Sequence, residues 1–248
     1  MILIAGDSLT AGNIGIGFKE FLPDNSNLLR GIDGDTMRGV TTRTLRYIKQ
    51  QKVRSELEGI ILECGNNDVL LPYLQDSSIQ VFQDAAHSLI RKGSEPIADP
   101  DEFARIYSEQ LRIIIAETSS ILSSPQLIGI TTLPPLGEDL LHEIQGYRTA
   151  YNNHIRSIAK ELSLSLIDLD STILSLYRGA PPFTSPPYFM DVPDNFIKDA
   201  RLIGSDHEAA EILTHQRGLN YTIDGLHYNA AGAQTLCIPF IHFIDTLN

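Results

Sequence analysis

Short apolar runs and helical periodicities alternate along most of the chain. The apolar runs predict five strands, at 2–5, 27–30, 59–64, 126–131 and 165–168. Between and after them, apolar residues at helical spacing predict helices at about 41–53, 100–120 and 146–162, and a C-terminal helix capped by Asn229. Strands that alternate with helices are typical of right-handed βαβ units. The pattern predicts a three-layer, doubly wound, flavodoxin-like α/β fold built on a parallel sheet.

Two stretches interrupt this alternation. Residues 69–98 contain Pro72 and Pro96 and look less regular, and residues 171–222 crowd proline, glycine and aromatic residues together. We interpret both as insertions in a single domain that spans 1–248. The aromatic side chains between Tyr177 and Phe196 would be costly to leave in water. We therefore expect 171–222 to cover a crevice, with a surface excursion or an oligomer contact as the alternative.

Composition narrows the class of protein. The 248 residues are 42% hydrophobic and carry a formal net charge of −12, which argues against nucleic acid as a partner. The two cysteines, Cys64 and Cys237, lie in apolar runs and are expected to be free thiols, and no zinc-type spacing of Cys and His occurs. No run approaches the roughly 20 apolar residues of a membrane span. No signal peptide is visible, which predicts a cytoplasmic enzyme unless a leader has been removed.

Chemistry-bearing residues follow three of the predicted strands. Ser8 lies after the first strand, Gly34 in the turn after the second, and Asn67 in the turn after the third. Asp224 and His227 share a late loop. If the strand order is 2-1-3-4-5, the carboxyl ends of the first three strands lie side by side at the topological switch point. All five residues would then meet in one crevice, where a hydroxyl nucleophile, a base and donors for an oxyanion are needed together.

Four motif blocks in this order resemble the SGNH/GDSL hydrolase family. Gly6-Asp-Ser-Leu9 matches the first block, Gly31-Ile-Asp-Gly-Asp-Thr36 the second, Gly65-Asn-Asn-Asp68 the third and Asp224-Gly-Leu-His227 the fourth. The resemblance covers nearly the whole chain. The Gly-x-Ser-x-Gly elbow of the α/β-hydrolases is absent. A single block would be weak evidence for this resemblance, since each of these residue types is also common in turns and helix caps.

The resemblance implies a role for each matched residue. Ser8 would be the nucleophile, His227 its base and Asp224 the partner that orients the imidazole, without a metal or organic cofactor. The backbone N–H groups of Ser8 and Gly34 and the side-chain amide of Asn67 would hold the oxyanion. We expect a hydrogen bond between His227 and Ser8, and donors from Gly34 and Asn67 that converge near the serine oxygen.

Three functions are compatible with these residues. The leading hypothesis is a serine-dependent carboxylic-ester hydrolase that acts on a small-molecule ester through an acyl-enzyme. An acyltransferase would use a sugar or alcohol in place of water, and a non-catalytic binding module would keep only the fold. Short-chain acyl esters, acetylated sugars, lysophospholipids and thioesters all remain open as substrates, as does a homo-oligomeric state.

Overall fold

The computed structural model describes residues 1–23, 27–138, 140, 142–176 and 206–247. Its centre is a five-stranded parallel sheet in the order β2-β1-β3-β4-β5. The strands are β1 (Ile2–Gly6), β2 (Leu28–Gly31), β3 (Gly59–Leu62), β4 (Ile128–Thr131) and β5 (Ser165–Ile167). The predicted fold class and strand order are confirmed.

Ten helices of the described chain surround or follow the strands. They are α1 (Ser8–Ala11), α2 (Met37–Ile48), α3 (Gln51–Glu56), α4 (Asn66–Gln75), α5 (Gln80–Arg91), α6 (Pro100–Thr118), α7 (Ile144–Leu162), α8 (Leu169–Leu176), α9 (His207–Gln216) and α10 (Ala230–Asp245). Short 3-10 turns lie at Phe18–Phe21 and Pro125–Leu127. Asn229 caps α10 as expected, because its side chain accepts the N–H of Gly232.

Side chains of each strand alternate between two hydrophobic clusters, one on each face of the sheet. In β1, Leu3 and Ala5 pack into the cluster with α2, α6 and α7, whereas Ile2 and Ile4 pack into the cluster with α8 and α10. The rings of Phe18 and Phe240 stack in the second cluster with centroids 4.3 Å apart. Because both faces of β1 are covered, its carboxyl end is held firmly between those of β2 and β3.

The prediction of irregular structure over 69–98 is wrong, because α4 and α5 occupy most of this stretch. Pro72 lies inside α4 and cannot donate a backbone hydrogen bond there. The helix persists because Val69, Leu70, Leu71 and Leu74 are all buried, and their burial offsets one missing bond. In this stretch the helical spacing of the apolar residues is a stronger indicator of structure than the single proline at position 72.

The helix predicted over 41–53 begins earlier, at Met37, and ends at Ile48. Its first turn is capped from a distant part of the chain, since the N–H of Met37 donates to Asp68 Oδ2 at 2.8 Å. A cap that comes from another segment leaves no mark in the local sequence.

The prediction of a long irregular segment over 171–222 is also partly wrong. Within its described ends, residues up to Leu176 belong to α8, and residues from His207 to Gln216 form α9. The expected cover between Tyr177 and Phe196 lies outside the described residues. In the described chain no helix is long and apolar enough to cross a membrane. Cys64 and Cys237 are free thiols in opposite clusters.

Candidate active site

Ser8 lies at the junction between the central strand and a single helical turn. β1 ends at Gly6, and Asp7 caps α1 by accepting the N–H of Leu9 at Oδ1, 3.0 Å away. A side chain at Gly6 would place its Cβ only 2.1 Å from the hydroxyl oxygen of Thr10, so this position requires glycine. The turn therefore presents a half-buried Ser8 at the carboxyl edge of the sheet. Asp7 supports the turn, as its place in the sequence predicts.

A buried pair of carboxyl groups lies directly behind this turn. Glu63 Oε2 accepts the backbone N–H of Asp7 at 3.1 Å and the hydroxyl of Thr10 at 3.0 Å. The amide of Asn66 donates both to Glu63 Oε1 (2.8 Å) and to Asp7 Oδ2 (3.0 Å). Burial raises the pKa of Asp7, and it raises the pKa of Glu63 far above its usual value, with a further contribution from the neighbouring Asp7. The hydrogen-bond partners of Glu63 are thus the Asp7 backbone, the Thr10 hydroxyl and the Asn66 amide.

Asn67 lies in the first turn of α4 and reaches toward the same turn from the side of β3. Its amide nitrogen donates to the carbonyl oxygen of Asp35 at 2.9 Å and to Asp7 Oδ2 at 3.3 Å. Both amide hydrogens therefore have protein partners in the unliganded site. The longer and weaker of the two contacts is the one to Asp7.

Gly34 follows β2 and adopts a left-handed conformation, with φ of +78°. A Cβ at this position would lie 2.6 Å from the Leu89 side chain, so both the backbone angle and the packing require glycine. The hydroxyl of Ser94 donates to the carbonyl oxygen of Gly34 at 2.7 Å. This bond holds the peptide group that follows Gly34, whereas the N–H that we expect Gly34 to use belongs to the preceding peptide group.

Asp224 and His227 form a buried hydrogen-bonded pair. His227 Nδ1 lies 2.8 Å from Asp224 Oδ2, while Asp224 Oδ1 accepts the N–H groups of Leu226 (2.9 Å) and His227 (2.7 Å). Burial opposes ionisation of Asp224, but the charge of His227 and these hydrogen bonds outweigh it and lower the pKa of Asp224. Asp224 is therefore an anion that fixes one nitrogen of the ring and leaves Nε2 for another partner.

Four of the sequence-predicted residues line one small cavity. Ser8, Gly34, Asn67 and His227 surround a space of about 40 Å³, whose other walls include Leu70, Leu74 and Leu89. A second space, of about 20 Å³, lies between Ser8, Asn67 and the loop of Pro134 and Leu136. The structure thus brings these four together, with Asp224 behind His227. The described hydrogen bonds do not include the expected one between His227 and Ser8; such bonds often form only when substrate binds.

A much larger cavity lies elsewhere, on another face of α4. Its volume is about 670 Å³, and its walls include Tyr73, His142, Tyr147 and Tyr151. On a helix, Asn67, Leu70 and Leu74 share one side, and Tyr73 lies on the other. The body of α4 therefore separates this cavity from Ser8.

The sequence analysis missed one residue of the site, Glu138. Its buried carboxylate accepts hydrogen bonds from residues 220–222, just before the loop that carries Asp224 and His227. A single glutamate after a strand gives no local signal of such a contact.

Other histidines have partners of their own. His207 Nε2 lies 2.8 Å from Glu20 Oε2, and His154 Nε2 lies 3.1 Å from Asp101 Oδ1. Over the ranges that the structure describes, no three His, Cys, Asp or Glu residues are arranged to hold a metal ion.

Comparison with known proteins agrees with this geometry. The model of the GDSL-like lipase/acylhydrolase family matches residues 4–235. The chain belongs to this family, and it is an ester-hydrolysing enzyme. No curated protein sequence matches the chain.

Several solved structures share the fold at low sequence identity. An α/β hydrolase, LAE5, from the metagenome of Lake Arreo in Spain has a TM-score of 0.57 and 16% identity, over 100% of this chain and 95% of that one. The acetyl xylan esterase AlAXEase has a TM-score of 0.56 and 18% identity, with 96% of each chain covered. A lipase/acylhydrolase from Enterococcus faecalis has a TM-score of 0.54 and 17% identity, over 99% of this chain and 95% of that one.

Proposed function

We propose that the enzyme hydrolyses esters of short acyl groups through an acyl-enzyme formed on Ser8. The observation that carries the proposal is the shared cavity: Ser8 and His227 line the same space, and His227 is held from behind by ionised Asp224. A nucleophile, a base and an orienting carboxylate are the parts that acyl transfer requires.

In the first half-reaction, His227 Nε2 takes the hydroxyl proton of Ser8 as the serine oxygen attacks the ester carbonyl carbon. The carbonyl π electrons move onto oxygen, and the N–H groups of Ser8 and Gly34 and the amide of Asn67 stabilise this oxyanion. Collapse of the intermediate breaks the bond to the alcohol oxygen. His227 gives its proton to the departing alcohol, and the acyl group stays on Ser8.

The second half-reaction repeats these steps with water. His227 takes a proton from water, the resulting hydroxide attacks the acyl carbon, and the oxyanion collapses to expel Ser8. The proton returns from His227 to the serine oxygen, and the carboxylic acid leaves. Asp224 stays ionised throughout and stabilises the imidazolium.

Asn67 has to exchange a partner to serve the oxyanion. Its amide hydrogens are bound to the Asp35 carbonyl at 2.9 Å and to Asp7 Oδ2 at 3.3 Å. We expect the weaker contact with Asp7 to give way to the oxyanion. Asp7 keeps the N–H of Leu9 and the amide of Asn66, so the turn of Ser8 stays intact.

The size of the cavity favours a small acyl group. The cavity volume of about 40 Å³ has room for only a few water molecules, since each water needs roughly 10–15 Å³ on this measure. The leucine side chains in its wall suit a methyl or ethyl group better than a polar one. An acetyl ester is therefore the substrate that we expect, in agreement with the acetyl xylan esterase among the structural neighbours.

Hydrolysis of p-nitrophenyl esters from acetate to laurate tests the acyl length directly. The expected result is a kcat/KM that is highest for acetate or propionate and falls steeply beyond butyrate. A maximum at octanoate or longer would contradict the proposal. Release of acetate with and without an added sugar or alcohol acceptor separates hydrolysis from acyl transfer.

Labelling with a p-nitrophenyl phosphonate tests the nucleophile. Mass spectrometry of the digested protein is expected to find the phosphonyl group on Ser8 and to find none in Ser8→Ala. A label on another serine would overturn the assignment even if ester hydrolysis were observed.

A further inference from the structure

Glu138 binds the chain segment 220–222 with an unusual concentration of hydrogen bonds. Oε1 accepts the backbone N–H of Tyr221 at 2.7 Å, and both the N–H and the hydroxyl of Thr222 at 2.7 Å. Oε2 accepts the N–H of Asn220 at 2.8 Å and its side-chain amide at 3.1 Å. Glu138 itself is fully buried. Three consecutive N–H groups thus converge on one carboxylate, which belongs to a loop more than 80 positions away in sequence.

The segment held by Glu138 forms the base of the loop that carries the catalytic pair. Thr222 and Tyr228 form an antiparallel bridge, and the N–H of Ile223 donates to the carbonyl of His227 at 2.8 Å. Asp224 and His227 lie within the loop that this bridge closes. Any shift of Thr222 therefore moves the base.

Glu138 also connects this loop to the sheet. The segment between β4 and Glu138 includes Pro134 and Leu136, which line the space beside Ser8. β4 pairs with β3, and β3 pairs with β1, the strand that ends just before the nucleophile. The strand carrying Ser8 is therefore connected to the His227 loop through the pairing of β1, β3 and β4, the chain from Thr132 to Glu138, and the Glu138 side chain.

We propose that Glu138 is a positioning residue that sets the place of His227 relative to Ser8. This inference rests on the proposed function, because the distance between His227 and Ser8 matters only if His227 acts as the base for Ser8. His227 and Ser8 line one cavity without a hydrogen bond between them. How closely the imidazole of His227 can approach the Ser8 hydroxyl therefore depends on how the loop of His227 is anchored. A misplacement of about 1 Å at such a site can cost on the order of 100-fold in rate.

Both side-chain oxygens of Glu138 are needed for these contacts. Both oxygens of Glu138 accept hydrogen bonds, and a glutamine has only one acceptor oxygen. In Glu138→Gln, the amide nitrogen would face either Asn220 or the Tyr221–Thr222 donors. In the first orientation the N–H of Asn220 loses its 2.8 Å contact with Oε2 and keeps only the 3.1 Å contact with Oε1, and in the second the buried N–H of Thr222 loses its acceptor. In both, the amide nitrogen meets a donor, so residues 220–222 must move.

Asp170, in the first turn of α8, offers a control. Its buried carboxyl group binds Arg148 and Arg156 through contacts of 2.5 and 2.7 Å and is not among the hydrogen-bond partners of residues 220–222 in the described chain. Asp170→Asn also removes a buried charge and is expected to lower stability. It leaves the anchor of the His227 loop in place.

The test compares wild type, Glu138→Gln and Asp170→Asn with p-nitrophenyl acetate. For Glu138→Gln we expect kcat to fall about 10- to 100-fold, KM to stay within about threefold, and phosphonate labelling of Ser8 to slow in proportion to kcat. Asp170→Asn is expected to keep kcat within about threefold. A kcat within threefold of wild type for folded Glu138→Gln, or equal losses in both variants, would overturn the proposal.

A spectroscopic readout separates positioning from general destabilisation. The proton between His227 Nδ1 and Asp224 is expected to give a downfield ¹H NMR signal that disappears in Asp224→Asn. The signal should shift or broaden in Glu138→Gln and stay unchanged in Asp170→Asn. An unchanged signal in Glu138→Gln contradicts the positioning role.

Thr222→Val provides a milder variant if Glu138→Gln does not fold. It removes only the hydroxyl donor at 2.7 Å from Glu138 Oε1 and keeps the backbone contacts. A few-fold fall in kcat at constant KM is expected, with no change in Thr132→Val, which loses a hydroxyl contact to Asp168. If wild type is labelled at Ser8 but Thr222→Val matches it in rate, only the positioning proposal fails. If wild type is not labelled at Ser8, the proposed function itself fails.

Discussion

The two sides of the candidate site both contain buried carboxyl groups, but these groups have opposite electrostatic behaviour. On the side of the base, the pKa of Asp224 is lowered against the effect of burial by His227 and the hydrogen bonds it receives. On the side of the nucleophile, burial dominates and raises the pKa of Asp7, Glu63 and Asp68. Their hydrogen-bond donors are backbone N–H groups, a threonine hydroxyl and asparagine amides.

The difference shows that burial alone does not decide the charge of a carboxyl group; its partner does. In the proposed mechanism His227 becomes positive and needs an anion beside it, and Asp224 is placed to supply one. Next to the oxyanion, additional negative charge would oppose catalysis, because like charges repel strongly in a dry site. Raised pKa values at Asp7 and Glu63 favour a proton in that pair and reduce the charge there.

The largest expected effect comes from removing the anion on the base side. Asp224→Asn keeps the size of the side chain but no longer fixes the same imidazole tautomer. We expect kcat for p-nitrophenyl acetate to fall by about 10⁴-fold. Circular dichroism and thermal unfolding would confirm that the variant is folded. A loss of less than tenfold in a folded variant would show that His227 does not depend on Asp224.

The second largest effect is expected at Asn67, and it distinguishes this residue from the adjacent Asn66. Asn67→Ala is expected to lower kcat by about 10²–10³-fold with little change in KM, because an oxyanion donor is lost. Asn66→Ala is the control: its amide bridges Asp7 and Glu63, so its loss should lower the melting temperature more than kcat. Equal effects of the two variants on kcat would contradict the assignment of the donor to Asn67.

The raised pKa of Asp68 predicts a pH dependence of stability. Burial raises this pKa from 3.8 to about 7, so the native state binds the proton more tightly than the unfolded chain. The stabilisation is complete below about pH 4 and is lost as pH rises toward 7, by an amount on the order of a few kcal/mol. Asp68→Asn should be less stable at pH 4.5 and should show a flatter profile up to pH 7.5. Urea unfolding at several pH values measures this, and parallel profiles would refute it.

The smallest effect is expected at the large tyrosine-lined cavity. The Tyr147 side chain is 58% exposed and lies across α4 from Ser8. Tyr147→Ala is therefore expected to change kcat/KM for p-nitrophenyl acetate by less than about twofold. A tenfold loss with this minimal substrate would mean that the cavity communicates with the catalytic crevice.

The sequence predicts the sheet well because its signals are local. The apolar run of β1 and the polar turn that contains Ser8 adjoin each other, and each motif residue follows a strand whose position in a parallel sheet is restricted. The sequence does not predict the role of Glu138 or the cap that Asp68 supplies to α2, since both depend on contacts between distant segments. It also does not show that the Asn67 amide is already occupied by Asp35 and Asp7.

The placement of Ser8 on the first strand has a consequence for biosynthesis. Ser8, the proposed nucleophile, is translated roughly 220 residues before His227, its proposed base. At about 5–20 residues per second, an interval on the order of 10–40 s separates them. During that time β1 can pair with β2 and β3, yet the nascent chain has no base to activate its serine. If the proposed roles are right, esterase activity arises only after His227 has been synthesised, and chains that stop before it carry an inert Ser8.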